Sequence, residues 1–78
     1  MNEIIAAFRL FSIIAGETGP FVSAMLDRID KDIAARRTED VPMVIAAATR
    51  AILFNVEEGR QDLHALGEQI IRDAEALA

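Results

Sequence analysis

Apolar side chains recur along this chain at helical spacing, in four runs separated by short polar or glycine- and proline-containing breaks. The densest run is Val41–Phe54, VPMVIAAATRAILF, in which Thr49 and Arg50 are the only polar side chains. Wound into a helix, it has two apolar faces. One carries Val41, Val44, Ile45, Ala48 and Ile52, and the other carries Met43, Ala47 and Phe54 with Arg50 at its edge. A helix apolar nearly all round must be covered by protein on several sides, and this one is short of the roughly 20 residues that cross a bilayer. The pattern predicts a central core helix, and the sharper reading adds a subunit interface on it.

The first run predicts a helix over about residues 2–15, capped by Asn2, with Glu3 placed well for the helix dipole and Gly16 as its stop. Ile4, Phe8, Phe11 and Ile14 make its main buried face, widened by Ile5, Leu10 and Ile13 until only a strip near Asn2 and Arg9 stays polar. Segment 16–20, Gly-Glu-Thr-Gly-Pro, is the clearest turn. Thr18 or Gly19 caps the next helix and Pro20 suits its first turn. That helix is expected over about residues 20–36, with Val22, Met25, Leu26, Ile29 and Ile33 as its buried stripe. Asp27–Lys31, Arg28–Asp32 and Asp32–Arg36 are opposite charges four residues apart, worth about 0.2–0.5 kcal/mol each, and they mark its outer side. Asp40 or Thr38 then caps the central helix, with Pro42 tolerated in its first turn.

Two signals conflict at residues 55–59. Asn55 followed by Glu58 has the form of a capping box for a new helix, and Glu57 and Glu58 sit badly at the end of an old one. Against this, the stripe Ile45, Ile52, Val56, Gly59, Leu63, Leu66, Ile70 and Leu77 stays in phase across the junction. Phase favours one kinked helix over residues 41–77, and capping favours two, over about 41–56 and 57–77. A single arm would be about 55 Å long at 1.5 Å per residue. The first two helices could not cover it, so continuity implies a dimer, with Gly59 and Gly67 permitting close helix approach.

Composition sharpens that expectation. Of the 78 residues, 53% are apolar, and a chain this short hides only about 60% of the surface its unfolded form exposes. Self-association relieves the limit. Without cysteine, disulfides, thiolate metal sites and cysteine nucleophiles are excluded. The opening MNEII carries an acid where a secretory signal carries positive charge, and no apolar stretch is long enough for a membrane span. The expectation is a cytoplasmic protein. The net charge of −5 is uneven: residues 1–37 hold five acids and five bases, and residues 38–78 hold eight acids and three bases. An acidic second half argues against phosphate-backbone binding and suits a solvated face or docking on a basic partner.

Candidate chemistry is sparse. His64 is the sole histidine, with Glu57, Gln61 and Glu68 at helical spacing, and the Glu-x-x-His pair of bundle metal sites is lacking because Gln61 stands three residues before it. Asp27 and Asp30 share a helix face and, with Glu57, Glu58 and Asp62, are the loose material for a magnesium site between subunits. Surface acids in ion pairs are the plainer reading. Ser12 and Ser23 lack a nucleophile elbow, and no phosphate loop or dinucleotide fingerprint occurs. Arg9 and Arg50 are lone cations in largely apolar helices. Each must reach water, pair with a carboxylate or hold an anion.

The sequence therefore predicts an all-α small helical bundle in a single domain, 1–78. A helical hairpin (2–36) packs on a long or kinked C-terminal arm (41–77), completed by dimerisation. The expected function is a non-enzymatic protein–protein interaction module without cofactor, metal or catalytic residues. Self-association is assigned to Val41, Val44, Ile45, Ala48, Ile52, Val56, Leu63, Leu66 and Ile70. Partner binding is assigned to the acids Glu57, Glu58, Asp62, Glu68, Asp73 and Glu75. The rivals are an acidic antagonist or nucleic-acid mimic that blocks a basic groove, and a metal-dependent all-α hydrolase using Asp27, Asp30 and the acids at 57–62.

Overall fold

The computed structural model describes residues 2–16 and 19–77, and among these it is all helical. Four α-helices pack on one another: α1 (Asn2–Ile14), α2 (Pro20–Ala34), α3 (Val41–Phe54) and α4 (Gln61–Leu77), with a 3₁₀ turn over Thr38–Asp40 leading into α3. No helix among the described residues is long and apolar enough to cross a membrane.

The central run behaves as its composition requires. α3 touches all three other helices, most extensively α4. Val41, Ile45 and Ala46 are fully buried, and Thr49 lies among them with its hydroxyl donating to the Ile45 carbonyl at 2.7 Å. That bond satisfies a hydroxyl which would otherwise be costly to bury. The core continues through Ile5, Phe8 and Phe11 of α1, Val22 and Ile29 of α2, and Leu63, Ile70, Ile71 and Ala74 of α4.

Three sequence expectations are corrected here. The arm over 41–77 is not continuous. α3 ends at Phe54, closed by tight bonds from the Asn55 and Val56 N–H groups to the Ile52 and Leu53 carbonyls at 3.0 and 3.1 Å. α4 then folds back along α3 in antiparallel fashion. Gly67, early in α4, lies against Leu53 near the end of α3, and Glu75, late in α4, reaches Arg50 one turn earlier. The new helix begins at Gln61, later than the capping box at Asn55–Glu58 implied, and residues 55–60 form the connection.

The second correction concerns the first two helices, which do not form a packed hairpin. α1 lies against α4 and α3, and α2 lies against α3. Gly16, in the left-handed conformation at φ 77°, redirects the chain after α1, and the extended Gly19 starts α2. Gly19 stands at the cap position, and the alternative cap, Thr18, lies outside the described residues. The third concerns burial. Leu10, Ile13 and Ile14 of α1 and Ile33 of α2 are exposed, whereas Ser12 and Asp32 are buried. α1 turns one side to its neighbours: Ile5 of the widened face is covered with Phe8 and Phe11, while Leu10 and Ile13 of that face and Ile14 of the main face stay in the open.

α2 stops two residues before the expected Arg36, in a Schellman motif. The Arg36 N–H donates to the Ile33 carbonyl at 3.1 Å, and the Arg37 N–H donates to the Asp32 carbonyl at 2.8 Å. Arg36 thereby occupies the left-handed position usually held by glycine, at φ 59°. A side chain there costs about 1–2 kcal/mol. Glycine removes that strain but gives the unfolded chain more freedom, so Arg36→Gly is expected to stabilise the protein by about 0.5–1 kcal/mol. Thermal unfolding of the two proteins checks this, and a lower midpoint for the glycine variant would count against it.

Candidate interaction surfaces

The residues that sequence assigned to self-association lie inside a single chain. Val41, Val44, Ile45, Ala48, Ile52, Leu63 and Ile70 are buried, and Val56 and Leu66 are partly buried against the same core. They belong to the one core that α3 and α4 share with α1 and α2. The apolar periodicity is accounted for by burial within the single chain, against α1 and α2 as well as between α3 and α4.

The second face of α3 is left open. Met43, Ala47, Arg50, Ala51 and Phe54 are exposed, at spacings that place them on one side of the helix. Phe54 is 91% exposed, more than any other large apolar side chain among the described residues. α2 runs alongside, antiparallel to α3, and leaves two hollows between them. The first, of about 210 Å³, is lined by Phe21, Ala51, Ile52 and Asn55. The second, of about 380 Å³, is lined by Met25, Arg28, Asp40, Met43, Val44 and Ala47. Sequence reasoning singled out Met43, Ala47 and Phe54 but missed the contribution of Phe21 and Arg28. Phe21 was legible as an apolar residue one position outside the stripe of its helix. Arg28 was legible as a cation one turn beyond Met25.

The six candidate partner-binding acids, Glu57, Glu58, Asp62, Glu68, Asp73 and Glu75, are all exposed. They do not form one row. On α4, Asp62 and Asp73 flank one side of the buried stripe, and Glu68 and Glu75 flank the other. Several have local partners. Glu75 accepts from Arg50 at 2.7 Å, Asp62 from Arg60 at 3.3 Å, and Asp73 from Gln69 at 2.8 Å. The Arg60 side chain, and after it the Leu63 N–H, hold the Asp62 carboxyl below its ordinary value, while Asp62 raises Arg60. Glu57, Glu58 and Glu68 have no ion-pair partner among the described residues.

Both lone arginines carry ion pairs that tie helices together. Arg9 of α1 donates to Asp30 of α2 at 3.0 Å, and Arg50 of α3 donates to Glu75 of α4. All four side chains are about half exposed, so each pair is worth on the order of 0–1 kcal/mol. Within α2, the expected pairs reduce to a loose contact between Arg28 and Asp32 at 4.0 Å. One oxygen of the buried Asp32 has no hydrogen-bond partner among the described residues.

Asp30 faces Arg9 and does not join the acids at 57–62. Among the described residues no three histidine, aspartate or glutamate side chains converge as metal ligands. His64 contacts the Glu57 carbonyl at 3.2 Å, which fastens the start of α4 to the connection before it. The chain matches no family model, no curated protein and no solved structure.

Proposed function

We propose that this protein is a non-enzymatic interaction module that self-associates through an apolar helical surface and presents the acids of its second half to a protein partner. The observation that carries this reading is the open face of α3. A chain that buries Phe8, Phe11 and Ile45 completely still leaves Met43 and Phe54 of α3, and Phe21 of the adjoining α2, exposed. Contiguous exposed apolar surface on a small domain marks a contact with something else. The net charge of −5 keeps the rest of the surface soluble and favours a basic partner over an acidic one. Glu57, Glu58 and Glu68 are the acids best placed for it, because they have no ion-pair partner among the described residues.

The testing measurement is the solution mass of the full chain, by light scattering after size exclusion, across a tenfold concentration range at low and high salt. A dimer fraction that rises with concentration and holds at high salt is expected, since apolar contact is not screened. A monomer throughout would remove self-association.

A further inference from the structure

We infer that the open face formed by α2 and α3 is the contact surface for a second copy of this chain, joined antiparallel about a two-fold axis, with Phe54 of each copy seated in the hollow at Met25, Met43 and Val44 of the other. This deepens the self-association reading and rests on it.

The argument begins with a projection and a recess on the same face. Phe54 stands out at the C-terminal end of α3. The hollow of about 380 Å³ lies toward its N-terminal end, between Asp40, Met43, Val44 and Ala47 of the α3 side and Met25 and Arg28 of α2. Along the helix the two are separated by about ten residues, or roughly 15 Å at 1.5 Å per residue. Phe54 therefore cannot fill the hollow of its own chain. A second copy laid antiparallel across the face brings both projections over both recesses in one operation, because a two-fold interface uses the same patch twice. An unrelated helix would have to supply an aromatic residue and a matching recess at the same separation.

The middle of the face permits the approach. The axis would pass near residues 47–51, where the exposed side chains are Ala47, Arg50 and Ala51. The alanines let two helices come close. Arg50 is held to its own Glu75 at 2.7 Å, which draws its charge toward α4 and to the rim of the contact. At the recess, Arg28 has no partner closer than the 4.0 Å contact with Asp32. Its guanidinium is available to lie against an incoming aromatic ring, a favourable arrangement.

The size of the face sets the strength. Two adjacent helices make a surface about 20 Å wide, and the stretch from Met43 to Phe54 adds a length of roughly 20 Å, so about 400–500 Å² is covered per copy. The total of about 800–1,000 Å² is below the roughly 1,200–2,000 Å² of stable interfaces and in the range of transient ones, so the dimer is weak and forms reversibly with concentration.

The test measures dimer dissociation by light scattering and sedimentation on the full chain and three variants. Phe54→Ser and Ala47→Arg are expected to weaken the dimer by about tenfold or more, while Ile13→Ser, on the exposed strip of α1, leaves it unchanged. All three positions are exposed, so the circular dichroism of each variant, and its melting at concentrations where the parent is monomeric, should match the parent. If the parent is monomeric at every concentration, self-association and this arrangement both fall, and the face is left to a different protein. If the parent dimerises but Phe54→Ser and Ala47→Arg leave it intact, or Ile13→Ser alone breaks it, self-association stands and this surface is overturned.

Discussion

Replacing Phe11 by alanine is expected to lower the stability of this chain by about 3–5 kcal/mol, the cost of emptying a fully buried aromatic site. Phe11 is 0% exposed and belongs to the one continuous core. A chain of this length has a total stability of about 4–12 kcal/mol at 0.05–0.15 kcal/mol per residue. The loss is therefore a large share of everything that holds the fold, and the melting midpoint should fall by about 12 °C or more. Leu10→Ala is the matched comparison. Leu10 precedes Phe11 on the same helix, has similar helix propensity to alanine, and is 56% exposed. Its removal should cost less than about 1 kcal/mol. Equal losses in the two variants would mean that α1 meets its neighbours through a different face.

The second large effect is expected at Gly67. A side chain there is normally preferred, since glycine inside a helix costs about 0.5–1 kcal/mol relative to alanine. Yet a Cβ at this position would stand 2.8–2.9 Å from three carbon atoms of Leu53. The glycine is what lets α4 lie so close to α3. Gly67→Val should destabilise the fold by about 1–3 kcal/mol through overpacking. Shortening the opposing residue, in Gly67→Val combined with Leu53→Ala, should recover part of that loss. A double-mutant cycle from chemical denaturation reads the coupling. Independent, additive effects would show that the two positions do not meet. Gly59, which the sequence also offered for close approach, has open space around it and plays no such part.

The four helices were legible in the sequence because their boundaries are written locally. Gly16, the glycine and proline at 19–20, and Pro42 lie at or beside the ends they predicted. The stripe Val22, Met25, Leu26, Ile29 and Ile33 kept its register through Ile29, because α2 has polar residues on its outer side to fix the phase, and lost it at the end, where Ile33 is exposed and Asp32 is buried. α1 has few polar residues, and so the pattern put Phe8 and Phe11 on the main face correctly but counted Ile14 with them and could not tell the covered Ile5 from the open Leu10 and Ile13. Which part of an all-apolar helix is covered depends on where its neighbours lie. The junction at 55–60 misled for a related reason. A helix that folds back on its predecessor needs an apolar stripe as much as one that continues it, so phase alone does not distinguish them. Capping chemistry carried the better information, although it placed the new start too early. Arg9 and Arg50 were recognisable as arginines in need of partners. Asp30 and Glu75 were not recognisable as those partners, because they stand 21 and 25 residues away.

The pairing of α1 with α4 has a consequence for the order in which the chain is made. During synthesis α1 emerges before its principal neighbours, α3 and α4. α3 and α4 are adjacent in sequence and meet across a short connection, so their association involves little loop closure. Until α3 and α4 follow, the buried side of α1 lacks the neighbours that cover it in the folded chain. α1 is thus fastened only by helices made after it.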